Sequence, residues 1–137
     1  MKPACLFVFS TILLFSCDRA NTAITQRIAG ADSMAINYFS GDGTMDTVVA
    51  VVIIRDRKKI EQLAGLIGAH LRESKHRCGY DGSLHFFKND QVIQDIDFGL
   101  GSPDCMYFVF SQGGKRVYTR LTEEAKGMIK EFRVRGG

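Results

Sequence analysis

The sequence predicts an α+β domain: a mostly antiparallel sheet of about five to six strands, with helices packed mainly on one face. Three observations predict it. Short apolar runs with period-two alternation, separated by turn residues, recur between Leu84 and Leu121. Two other segments, opening near Arg57 and at Thr122, carry apolar residues at helical spacing instead. Cys78 stands before the first apolar run and Cys105 at the start of the third. In a four-stranded meander the first and third strands start at the same end, so one disulfide between these cysteines is expected.

The elements follow in chain order. Ala23 to Ala31, with Ile24 and Ile28 on one side, predicts a short helix. Ser33 to Ser40 alternates, with Met34, Ile36 and Tyr38 against Ala35, Asn37 and Phe39, and predicts a strand. Gly41-Asp42-Gly43 is turn chemistry. Thr47 to Ile54 is β-branched and apolar on both faces, which predicts a central strand covered on both sides and hairpinned to the previous one. Asp56 is placed to cap a helix from Arg57 to Glu73, whose stripe is Ile60, Leu63, Ala64, Ile67 and Leu71. Gly65 and Gly68 weaken that helix and are expected where it packs closely on the sheet. The meander then runs through Leu84–Phe87, Val92–Phe98, Cys105–Phe110 and Arg116–Leu121. Its turns are expected at Asn89-Asp90, in a longer connection from Gly99 to Asp104, and at Gln112-Gly113-Gly114. Thr122 caps a last helix, with Glu123 and Glu124 in its first turn and Ala125, Met128, Ile129 and Phe132 as its apolar stripe.

The chain of 137 residues holds one domain. With 45% apolar and 24% charged residues it is not a disordered chain, and a formal charge of +3 does not argue for nucleic acid.

The N-terminus is read apart from the fold. Lys2 gives a positive n-region, and Ala4 to Phe15 is an apolar h-region too short to span a bilayer. It ends in Leu14-Phe15-Ser16-Cys17: an aliphatic residue three before the cysteine and a small one just before it. This junction resembles the lipobox of bacterial lipoproteins. The resemblance implies cleavage between Ser16 and Cys17 and acylation of Cys17. Residues 1–16 are then a lipoprotein signal peptide, 17–22 a tether, and 23–137 the domain. Two or three acyl chains would hold it stably to a membrane, expected to be the periplasmic side of the outer membrane. Cys5 leaves with the signal peptide and lipid consumes Cys17, so Cys78 and Cys105 remain in an oxidising compartment.

Candidate chemistry is sparse, and no cofactor is expected. His76, Cys78, His85 and Cys105 fit no zinc spacing, so no metal site is expected. Asp95 and Asp97 share a strand face and, with His85, are the residues a hydrolase would use, but Asp90, Asp95, Asp97 and Asp104 form no calcium-loop pattern. Two basic clusters, Arg55, Arg57, Lys58 and Lys59, and Arg72, Lys75, His76 and Arg77, could meet anionic lipid or an acidic partner. Aromatics are dense in the meander: Phe86, Phe87, Phe98, Tyr107, Phe108, Phe110 and Tyr118. Half should fill the core, and any on the open face would form a binding patch. The expected function is a lipid-anchored, non-catalytic binding module, resembling small envelope lipoproteins with compact α+β domains. Its partners would be the membrane, through Cys17, and another envelope protein. The alternatives are a small envelope hydrolase, and an inhibitor or immunity-type protein that blocks an enzyme with the loop from Gly99 to Asp104.

Overall fold

Hydrophobic periodicity sorts the chain into one antiparallel sheet and a layer of helices. The computed structural model describes residues 20–41, 47–73 and 78–136. The segment read above as a signal peptide, Cys17, Asp42, Gly43, Lys75, His76 and Arg77 lie outside the described residues. The elements are α1 (Thr22–Ala29), β1 (Ser33–Phe39), β2 (Val48–Ile54), α2 (Arg57–Ile67), β3 (Leu71–Arg72), β4 (Gly82–Lys88), β5 (Gln91–Leu100), β6 (Met106–Gln112), β7 (Lys115–Arg120) and α3 (Glu123–Arg135). The seven strands are ordered β2-β1-β4-β5-β6-β7-β3, and every neighbouring pair is antiparallel.

The predicted α+β class, the β1–β2 hairpin and the meander of β4 to β7 are all present. Capping sets the helix starts. The side chains of Asn21, Asp56 and Thr122 accept from the first-turn amides of α1, α2 and α3. Alternation sets the core. Met34, Ile36 and Tyr38 of β1, Leu84 and Phe86 of β4, Ile96 and Phe98 of β5 and Phe108 of β6 are buried in one cluster with Ile24, Ile28, Ile60, Leu63, Ala125, Ile129 and Phe132 of the helices. All three helices therefore lie on the same face of the sheet. Tyr38 fastens α3 to it: its hydroxyl donates to the Ile129 carbonyl at 2.5 Å, and burial, opposed by Arg133, pushes its phenol up to about 12.

Four expectations are corrected. The apolar strand Val48–Ile54 is the sheet's edge, not its centre, and Val49, Val51 and Ile53 are each about half exposed. Apolarity on both faces signals burial only when something covers both faces; here α3 covers one. The second helix stops at Ile67 rather than Glu73. Gly68 caps it, and Leu71 and Arg72 cross to pair with Thr119 and Tyr118 as the opposite edge. This leaves His70 between helix and strand, where its carbonyl accepts from the Arg120 amide.

Gly65, expected at a close contact, has open space around it. Gly68 does pack closely, but on α1 rather than on the sheet: a Cβ there would strike the Thr25 side chain and the Asn21 carbonyl oxygen. Last, the connection expected from Gly99 to Asp104 is shorter. β5 runs on to Leu100, and Pro103–Cys105 form a 3-10 turn.

Candidate functional site

The second face of the sheet carries no helix, and its polar residues meet there in cross-strand rows. One row runs Val51, Asn37, Ser83, Asp97, Val109, Tyr118, Arg72. The next runs Ile53, Ala35, His85, Asp95 and resumes beyond a break with Ser111 and Arg116. Tyr107 and Tyr118 face this side too. With Tyr80 they form an edge-to-face cluster, with ring centroids 6.2 and 6.0 Å apart. Phe86, Phe98, Phe108 and Phe110 are buried on the helix side, and Phe87 is half-buried.

The expected disulfide joins Cys78 and Cys105, whose Cα atoms are 5.7 Å apart. It lays the Cys78–Tyr80 segment over this face, where the Tyr107 hydroxyl donates to the Cys78 carbonyl. Closing a loop with a separation of 27 residues contributes about 3–4 kcal/mol in the chain-entropy model. Arg72, expected in a basic helical cluster, instead clamps the 3-10 turn. It donates to the carbonyls of Pro103, Asp104 and Met106 at 3.3, 2.7 and 3.0 Å.

His85 and Asp95 come together as the sequence suggested. Nδ1 lies 2.6 Å from Asp95 Oδ1, and Nε2 lies 3.0 Å from Ser83 Oγ and 3.1 Å from Asn37 Nδ2. The tautomer that satisfies all four groups donates from Nδ1–H to the carboxylate and accepts at Nε2. A histidine between a carboxylate and a serine hydroxyl has the connectivity of a nucleophilic triad. Here, however, Ser83 is only 6% exposed and sits near the start of β4, paired on both sides with β1 and β5. Ladder bonding takes up its neighbouring amides and leaves none to hold an oxyanion. The arrangement fixes an imidazole on the sheet surface; it does not present a nucleophile. Asp97 stands one row away, half-buried. Burial raises its carboxyl above the ordinary value, against the opposing pull of Arg116 and then His85, with Asp95 adding to the rise.

The break in the second row opens a concavity lined by residues from both sides of the sheet. β5 pairs with β6 only from Asp97 to Leu100; towards Gln91 the two strands part. The cause is local. Phe86 pairs with Gln94 and Phe87 with Val92, so Ile93 is an extra residue in β5. A bulge sharpens the twist and turns this half of β5 away from β6. The split opens a cleft of about 410 Å³, lined by Arg27, Val92, Asp95, Asp97, Val109 and Arg116 among others.

Three backbone carbonyls along the split are met by side chains. The buried Gln94 amide donates to the Asp95 and Ser111 carbonyls at 3.1 and 3.4 Å, and Arg27 Nε donates to the Ile93 carbonyl at 2.9 Å. Asn37, Ser83, Arg27 and Gln94 were not singled out from the sequence, whereas Arg116, with Asp95, Asp97 and Arg120, was expected on the face that meets water. Of those four, only Gln94 left a signal in the sequence: a polar residue at an apolar parity position of an alternating strand.

Among the described residues no cluster of three or more His, Cys, Asp and Glu side chains is suited to a metal ion. The zinc set considered above loses both thiols to the disulfide, and His76 lies outside the described residues. No described helix is long and apolar enough to cross a membrane. No protein-family model, curated protein or solved structure matches the chain.

Proposed function

We propose that this chain is a lipid-anchored protein of the bacterial cell envelope, held through a modified Cys17, that binds a ligand on the helix-free face of its sheet without transforming it. The observation that carries the binding reading is the split between β5 and β6. It is concave, it holds charges of both signs, and three carbonyls along it are held by Gln94 and Arg27, which supports an opening that belongs to the fold. The lipobox-like junction and a disulfide of the kind kept in oxidising compartments support the export reading.

The test uses the full-length chain expressed in a bacterium. A photo-crosslinking residue is placed at Val92 on the cleft or, as control, at Val134 on α3; both positions are exposed. The expected result is an adduct from position 92 alone, together with palmitate labelling that Cys17→Ser abolishes. A protein partner, including an enzyme that the domain would block, registers as a heavy adduct. Equal yields at the two positions would overturn the binding reading, and a label that survives Cys17→Ser would overturn the anchor.

A further inference from the structure

Taking the split as the ligand site of the reading above, we propose that it binds short peptides with free termini, about two to four residues long. The distribution of charge along the cleft favours such a ligand. Arg27 enters at one end, where its Nε is held by the Ile93 carbonyl at 2.9 Å, and the terminal nitrogens of its fork remain as donors. Asp97 lies at the other end, and between the two stand Asp95 and, across the break in its row, Arg116. Among the described residues no carboxylate lies within ion-pair distance of Arg27 or Arg116, and Asp97 has no cation within that distance. Arg116 is held aside by the Tyr80 hydroxyl at 2.9 Å. Arg27 is thus set apart from the two carboxylates, an arrangement complementary to a ligand that also carries separated charges, while Arg116 is near enough to pull on Asp97.

The separation sets the ligand's size. Ile93 and Asp97 are four residues apart on an extended strand, a distance of roughly 13 Å. A free α-amino acid carries its ammonium and carboxylate on one carbon and cannot reach both ends. An extended peptide of about two to four residues can, placing its carboxylate at Arg27 and its ammonium between Asp95 and Asp97. The half-buried Asp97 carboxylate, raised by desolvation, gains a counter-charge when the ammonium arrives. Val92 and Val109 offer apolar wall to the side chains between.

Calorimetry on the mature protein tests this with trialanine, free alanine, and trialanine acetylated and amidated at its ends. Trialanine should saturate with a Kd of about 1 mM or tighter. The blocked peptide and free alanine should each bind at least about tenfold more weakly. Arg27→Gln should weaken trialanine about tenfold while changing the affinity of trialanine amide little, because the amide lacks the charge that Arg27 recognises. Asp97→Asn should weaken both ligands alike. Blocked and free peptides binding equally would overturn the proposal, as would free alanine matching trialanine or trialanine failing to saturate. In that case an adduct at position 92 would still uphold the binding-face reading and assign the cleft to a different ligand.

Discussion

His85 and Asp95 are joined across β4 and β5 by a 2.6 Å contact on a face that no helix covers. The carboxylate side chain is 67% exposed and the imidazole 29%, so water screens the pair. A double-mutant cycle of His85→Ala and Asp95→Ala, read by urea unfolding, should return a coupling of about 0.5–1 kcal/mol. A coupling of several kcal/mol would mean that this face is covered in solution.

Asp97 behaves differently because it is half-buried. Its carboxyl is raised, first by burial, so the folded state favours the protonated form. The stability this contributes is present below the ordinary carboxylate value of 3.8 and is lost as pH rises through the raised folded value. Asp97→Asn cannot ionise and escapes the loss. Melting temperatures measured from about pH 3 to pH 7 should place the variant level with the parent in acid and above it at neutrality. A constant difference across the range would contradict the assignment.

Thr119 is fully buried in β7 between Phe108 and Leu71, and its Oγ1 has no hydrogen-bond partner among the described residues. A hydroxyl desolvated without a partner costs stability that an isosteric methyl does not. Thr119→Val keeps the β-branch and should raise unfolding stability by about 1 kcal/mol, as measured by denaturant titration. Destabilisation would reveal a partner for that hydroxyl.

The two edges of the sheet are protected unequally. β3 is two residues long and carries Arg72, whereas β2 is seven residues long, uncharged, and half exposed at Val48, Val49, Val51 and Ile53. A long apolar edge is a template for pairing with other chains. Val51→Lys and Ile53→Lys should reduce light scattering on heating while shifting unfolding stability by no more than about 0.5 kcal/mol. Unchanged scattering would show that association starts elsewhere.

Local features were legible in the order of residues alone. Alternation marked out the meander and the β1 strand, helical spacing marked out α2 and α3, and Asp56 and Thr122 announced their caps, because each signal lies within a few residues of chain. That order also brought Cys78 to Cys105, and placed His85 and the two aspartates on the open face, through strand parity and meander geometry. Strand order, the exposed edge at β2 and the departure of Leu71 and Arg72 from α2 were decided by the tertiary structure, because they depend on which face a neighbour covers. So was the cleft. A single extra residue at Ile93 reorients half a strand, and that displacement brings Arg27, Asp95, Asp97 and Arg116 around one opening although they lie on three different elements. No local pattern encodes such a meeting, because register and twist accumulate across the whole sheet.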